Sequence, residues 1–310
     1  MKKVIITASA HAILESSLLL AGYQVVNVPS ITYHELLQIV GDADGLVVTT
    51  RLKIDKQMID AAKQLHWIGR LGSGLELIDT DYATSKNISC ISSPEGNRTA
   101  VGEHALGMLL TLFRNITKSS LEVREKQWLR NENRGIEITG KTVGIIGFGN
   151  TGGAFAKVLS GFNCKVLAFD KYKLNIQSEY ATQATLDDIC KEADIISFHL
   201  PLTEETRYFA DDAFFEALQK KPVIINTSRG GILSMNALLK ALKNQSVGYA
   251  ALDVLENENI IALSQSEAAT FNALANHPKV LLTPHIAGYT HESFFKMSEM
   301  LLLKLGIPAN

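Results

Sequence analysis

The chain has 310 residues with 30 Lys plus Arg against 32 Asp plus Glu, a formal net charge of −2, so nothing in its charge calls for nucleic acid or an acidic membrane surface as partner. That length supports a large core and suggests two domains more readily than one. Cys90, Cys164 and Cys190 stand alone, in neither a disulfide framework nor a metal-ligand spacing, and are expected to be buried small hydrophobes.

Met1-Lys2-Lys3 leads straight into a strand-like run with no signal-peptide core, and no apolar run reaches membrane-spanning length, so a cytosolic, cytoplasmic protein is expected. Strand-like runs at residues 4–7, 24–28, 45–49, 67–71 and 88–91 alternate with segments of helical period, which predicts a small α/β unit ending near Asn97. From Thr99 the pattern predicts one long helix crossing between domains, with Ala105, Met108, Leu109, Leu112 and Ile116 on one face. Residues 135–141 form a polar approach to a second region, where strands and helices alternate as far as Val280-Leu281-Leu282-Thr283. Residues 292–305 read as a last amphipathic helix, expected to pack back on the first unit.

In the second region Val143-Gly144-Ile145-Ile146 runs into Gly147-Phe148-Gly149-Asn150-Thr151-Gly152, a Gly-x-Gly-x-x-Gly turn from strand to helix. Gly147 serves the tight turn, Gly149 lets backbone approach a pyrophosphate, and Gly152 lets the helix pack on the sheet. Phosphate then sits on the helix N-terminus, where unpaired N–H groups attract an anion. About twenty residues on, the run Lys165-Val166-Leu167-Ala168-Phe169 ends at Asp170, a carboxylate able to accept from a ribose diol. That favours NAD over NADP, although Lys171 and Lys173 soften the repulsion of a 2′-phosphate.

Other apolar runs close on polar residues: Ile195 and Ile196 on Phe198-His199-Leu200-Pro201, residues 223–225 on Asn226-Thr227-Ser228-Arg229-Gly230, and two more on Asp253 and His285. In an open parallel sheet all of these share the edge where ligands bind. A carbonyl accepting hydride needs a proton on oxygen, and an imidazole, titrating at roughly 6.5, serves as acid or base, which makes His285 the candidate. Glu258 is its candidate carboxylate partner and Glu256 the competitor. Arg229 offers a planar fork for an α-keto carboxylate or carbonyl. His11, His34, His66, His277 and His291 have no motif, and His104 is read as an interdomain contact.

Five signatures, in order, make the chain resemble the D-isomer-specific 2-hydroxyacid dehydrogenases over nearly its whole length. They are Gly144-Ile145-Ile146-Gly147-Phe148-Gly149 with Asp170; His199-Leu200-Pro201-Leu202-Thr203; Asn226-Thr227-Ser228-Arg229-Gly230-Gly231; Ala251-Leu252-Asp253-Val254 with Glu258; and Thr283-Pro284-His285-Ile286-Ala287-Gly288. The resemblance implies an α/β fold in which a Rossmann NAD-binding domain, residues 99–286, is inserted into a smaller flavodoxin-like substrate domain, residues 1–98 plus 287–310. It implies a catalytic set of Arg229, Glu258 and His285, the five-residue step from Asp253 selecting Glu258, with Asp253 facing the nicotinamide carboxamide. The NAD-binding set is Gly147, Phe148, Gly149, Asn150, Thr151, Gly152, Asp170, His199, Pro201, Thr227, Ser228, Arg229, Asp253, His285 and Gly288, with no metal. Substrate, a 2-hydroxy or 2-keto acid in a cleft that closes over it, falls to Thr49, Arg51, Leu71, Gly72, Ser73, Gly74, Asn97 and Arg98, and a homodimer is the family expectation.

Within the family, Gly69-Arg70-Leu71-Gly72-Ser73-Gly74 and Pro94-Glu95-Gly96-Asn97 look closest to 3-phosphoglycerate dehydrogenases, but Thr49-Thr50 stands where an Arg-Ser pair is expected. Arg51, Lys53 or Arg98 must then supply the charge for a phosphate, or the substrate carries none. The sequence running only a few residues past Leu305 leads to the expectation of no serine feedback through a regulatory domain. Asn259 replaces a usual proline after Glu258, which would loosen that loop, and Ser234-Met235 replaces an acidic residue. Hydroxypyruvate or glyoxylate reduction and non-catalytic NAD(H) sensing are the alternatives; formate oxidation is disfavoured by Glu258.

Overall fold

Short runs rich in Val, Ile and Leu, each bounded by Gly, Asp, Asn or Ser, become the parallel strands of two sheets in a computed structural model that describes residues 1–309. One unit comprises residues 1–98 and the chain from Tyr289 on; the other is Thr99–Gly288.

In the first unit β1 (Lys3–Ile6), β2 (Gln24–Asn27), β3 (Gly45–Val48), β4 (Trp67–Arg70) and β5 (Ser89–Ser92) pair in the order β2-β1-β3-β4-β5, the flavodoxin-like arrangement. Side chains alternate across this sheet. Ile5, Leu46 and Val48 pack with Leu36 and Met58 on one face, while Val4, Ile6 and Val47 pack with Leu14, Leu18, Leu301 and Leu302 on the other. The last two come from the helix His291–Lys304, opened by a capping box of Thr290 and Ser293 and anchored at its end by Lys304 on Ser92 O at 2.8 Å. The final helix therefore does pack on the first unit.

In the second unit β6 (Thr142–Ile146), β7 (Lys165–Phe169), β8 (Thr182–Gln183), β9 (Ile195–Phe198), β10 (Val223–Asn226), β11 (Tyr249–Leu252) and β12 (Val280–Leu282) form a sheet of order β12-β11-β10-β9-β6-β7-β8. The chain reverses direction across the sheet between β6 and β9, the switch point at which doubly wound folds bind ligands. Ile146, Ile196, Phe198, Ile224 and Leu252 fill one face; Val143, Ile145, Ile195, Ile225 and Ala251 fill the other.

The long helix differs from expectation at both ends. It spans Pro94–Phe113, because a proline at the first helical position has a suitable φ and no N–H to leave unpaired. Asn115, at φ 51°, then breaks the run, and Ile116 opens a separate helix, Ile116–Arg124, in which no residue is buried. Of the cysteines only Cys190 is buried; Cys90 and Cys164 are half-buried, and burial pushes all three thiols up. Among the described residues no helix is long and apolar enough to cross a membrane.

Candidate active site

The ends of β6, β7, β9, β10, β11 and β12 deliver the predicted residues of the second unit to one edge of its sheet. At β6 the turn is steric in origin. Gly147 has φ +92°, and its N–H reaches Phe169 O at 2.8 Å. A Cβ on Gly152 would lie 2.2 Å from Gly147 O, so the helix Asn150–Val158 can start this close to the strand only with glycine there. Gly149, its N-cap, is the opposite case: a Cβ would meet nothing within 4 Å. Backbone N–H groups of a helix start thus open on space that fits a pyrophosphate.

Asp170 ties this turn to β7. Its Oδ2 accepts from the Phe148 amide at 2.9 Å, and its Oδ1 from Tyr172 and Lys173 amides at 3.0 and 3.2 Å. Three donors leave a carboxylate room for about one more. The two lysines are engaged elsewhere: Lys173 Nζ donates to Phe148 O at 2.6 Å, and Lys171 pairs with Glu205.

After β9, His199 is buried, with Nδ1 on Thr151 Oγ1 at 3.1 Å and Nε2 on Ser197 Oγ at 2.9 Å, while Pro201 is exposed. Burial pushes the imidazole down to about 3, so it is neutral. After β10, buried Asn226 organises the next loop: its Oδ1 accepts from Ser228 N and Oγ at 3.0 and 2.8 Å, and its Nδ2 donates to Arg229 O at 2.9 Å. Arg229, half-buried, also turns Nη1 to Ser228 O at 2.7 Å. Thr227 Oγ1 is the one buried side-chain polar atom without a hydrogen-bond partner among the described residues. Such an orphan fits a ligand group that would meet it.

Asp253 is spent inside the protein. Its side chain has no exposed surface; Oδ1 accepts from Thr283 Oγ1 at 2.5 Å and Ile286 N at 2.9 Å, and Oδ2 from Ala287 N at 2.8 Å. His104 Nε2 lies 3.1 Å from Thr283 Oγ1 and 3.4 Å from Asp253 Oδ1. Burial would raise the Asp253 carboxyl, but the bonds from His104, Thr283, Ile286 and Ala287 outweigh it and hold the group below its ordinary value. His104 thus serves this cluster within the second unit, a role its position in the sequence did not suggest. Together these bonds hold the turn on which His285 adopts φ +55°, a left-handed conformation that costs a non-glycine residue about 1–2 kcal/mol.

From that turn His285 Nδ1 meets Glu258 at 2.9 Å (Oε1) and 3.0 Å (Oε2), the two side chains being 38% and 47% exposed. Glu256 is occupied otherwise: it caps the Met235 amide at 2.5 Å and accepts from Tyr208 OH at 3.1 Å. It thereby supplies an acid to the start of the helix Met235–Lys243, whose own N-cap is Ser234. The Asn259 amide donates to Asn257 Oδ1 at 3.0 Å, a local turn that proline could not make. Gly288 is half-buried at the end of the unit.

In the first unit, Thr49 and Arg51 follow the C-terminus of β3 and Leu71 to Gly74 that of β4, while Asn97 and Arg98 lie in the opening turns of the helix Pro94–Phe113 that follows β5. The Gly72 amide donates to Ser93 Oγ at 3.0 Å and Ser73 Oγ to Asn97 Oδ1 at 3.3 Å, which ties the loop after β4 to the start of that helix. Arg51 Nη2 donates to Thr7 O at 2.7 Å; Lys53 and Arg98 are exposed. Asn226 and His104 were the positions that reading the sequence missed as site residues. Asn226 stood in a signature, whereas His104 had no local signal.

Residues 106–287 match the family described as D-isomer specific 2-hydroxyacid dehydrogenase, NAD binding domain. The chain is 34% identical over 266 residues to the D-3-phosphoglycerate dehydrogenase of Methanocaldococcus jannaschii, 85% of this chain but 49% of that protein, so it spans about half the length of that relative. It is 34% identical over 279 residues, 88% of each, to the hydroxypyruvate reductase of Thermotoga maritima. Its fold is that of the D-lactate dehydrogenase of Aquifex aeolicus in complex with NAD and lactic acid, at TM-score 0.83 and 23% identity, covering 98% of this chain and 94% of that one.

Proposed function

The chain belongs to the D-isomer specific 2-hydroxyacid dehydrogenase family, and from that premise we propose that it interconverts a D-2-hydroxy acid and its 2-keto acid with NAD. The observation that carries this reading is the His285–Glu258 pair, held on the same sheet edge as the glycine turn. NAD, when bound, supplies or accepts the hydride. In reduction His285 gives its proton to the carbonyl oxygen as hydride reaches the carbon; in oxidation it takes the hydroxyl proton. Glu258, in contact with Nδ1, orients the ring so that Nε2 is the nitrogen turned to substrate. Arg229 holds the carboxylate and polarises the carbonyl. Gly147 to Gly152, with Thr227, Ser228 and Asp170, hold the dinucleotide; we assign to that task the unit Thr99–Gly288, two residues longer than the 99–286 expected, and to substrate residues 1–98 with the chain from Tyr289 on.

For the acid itself, Arg51 is partly committed to Thr7 O, and Thr49-Thr50 brings no charge. That favours an unphosphorylated 2-keto acid such as hydroxypyruvate or glyoxylate over 3-phosphohydroxypyruvate, which would rely on Lys53 and Arg98. A homodimer fits the helix Ile116–Arg124, in which no residue is buried and Leu121 and Val123 are exposed, as is Trp128 shortly after it in the chain.

The test is NADH oxidation against hydroxypyruvate, glyoxylate, pyruvate, longer 2-keto acids and 3-phosphohydroxypyruvate. Turnover with an unphosphorylated acid is expected, and His285→Asn should lower kcat by several orders of magnitude with NADH affinity nearly intact. Asparagine tolerates the left-handed turn, so the loss reports chemistry rather than folding. NADH binding without turnover on any acid would favour a sensing role instead.

A further inference from the structure

Beneath the glycine turn lies a polar chain that neither the glycine motif nor the proton transfer accounts for: Ser197, His199 and Thr151, linked at 2.9 and 3.1 Å. Ser197 is wholly buried on β9, and His199 is the one hydrogen-bond partner of its hydroxyl among the described residues. The ring of His199 packs on Phe155, centroids 5.7 Å apart, and has no carboxylate beside it, so it is neutral with a single ring proton. Thr151 lies in the first turn of the helix Asn150–Val158 and is half-buried.

Two hydrogen bonds and three protons admit two polarities. If Thr151 donated to Nδ1, Nε2–H would donate to Ser197, and the serine proton would be left in apolar surroundings at the full desolvation penalty of a buried hydroxyl. If Ser197 donates to Nε2, then Nδ1–H donates to Thr151, every buried proton is met, and the threonine proton is the one left over, at the one member of the chain that is not buried. The second arrangement wins.

We propose that His199 is a positioning residue which, through the Ser197–His199–Thr151 chain, fixes the Thr151 hydroxyl as an outward hydrogen-bond donor to the pyrophosphate of the dinucleotide. This rests on the reading of the Gly147–Gly152 turn as a pyrophosphate site. A hydroxyl ordinarily both donates and accepts; locking its oxygen as an acceptor from His199 leaves it a donor to an anion. It adds a charge-assisted bond to those of the backbone without placing a cation in the site.

Two measurements test it. Long-range 1H–15N spectra should show His199 protonated on Nδ1; protonation on Nε2 would overturn the relay. Binding of NADH, ADP-ribose and adenosine is then compared by NADH fluorescence and its displacement. Thr151→Val should weaken NADH and ADP-ribose about tenfold and leave adenosine within about twofold, while Thr151→Ser behaves as wild type. His199→Leu should cause the same loss, with no further loss in the double variant, and His199→Asn, whose amide nitrogen approximates Nδ1, should retain most of the affinity. Undiminished NADH binding in Thr151→Val, or adenosine falling in parallel, removes the relay while the dinucleotide site stands. Failure of the wild-type chain to bind NADH removes that site and the relay with it.

Discussion

His199 refuses a proton in the folded protein until about pH 3, against 6.5 when exposed. Below pH 6.5 the unfolded chain therefore binds a proton that the folded chain does not, so the stabilisation from this residue is complete above 6.5 and is lost as pH falls toward 3, by about 1.4 kcal/mol per pH unit at most. His277, lowered by burial and by Lys279, acts in the same sense. Asp253, held below 3.8, gives up its contribution only at more acid pH, as its folded pKa is approached. The urea midpoint should fall between pH 6.5 and 4.5, and fall less steeply in His199→Asn; parallel slopes would exclude His199 as the cause. Single residues were also where reading the sequence was weakest. Glu258 and Glu256 differ by two positions and not at all in chemistry, and only the five-residue step from Asp253 separated them. What excludes Glu256 physically is a pair of partners 21 and 48 residues away, Met235 and Tyr208. His104 bonds a threonine 179 residues distant, and no spacing rule reaches that far.

Elements were far more legible, because a parallel strand buried on both faces is a short apolar run and little else. The runs at 4–7 and 24–28 each became a strand within a residue of the expected bounds. Helix ends were harder: the start at Pro94 lay hidden in a polar stretch, since the first turn draws its order from capping rather than from an apolar face. In the glycine turn, the element also separates stability from binding. Gly152→Ala sets a methyl against Gly147 O and should cost about 1–3 kcal/mol in urea unfolding. Gly149→Ala meets no atom and should cost only the difference between glycine and alanine at an N-cap, at most about 1 kcal/mol, while NADH affinity drops because the methyl occupies the space proposed for phosphate. Equal effects of the two on both readouts would contradict this account.

At the scale of the molecule, the family likeness carried fold and site order together, since five motifs in sequence are also five neighbouring strand ends in space. The assembly was legible only as an expectation. Ile116, Leu121 and Val123 of the helix Ile116–Arg124 and Trp128 beyond it are exposed apolar side chains, and the proposed homodimer would bury them. Trp128→Glu should shift sedimentation from dimer to monomer with the fold retained; a wild-type chain already monomeric at high concentration would dismiss the interface. One packing detail also bears on how such a protein can change. A Cβ at Gly230 would sit 1.8 Å from Leu255 O, and the Asp253 amide donates to Asn226 O at 2.9 Å, so the loops bearing Arg229 and Glu258 are pressed backbone to backbone. The two loops form one packed backbone block. Grafting either loop alone from a relative of different substrate preference should break the seam, whereas exchanging both, with glycine kept at 230, should move Arg229 and the partner of His285 together as a single module.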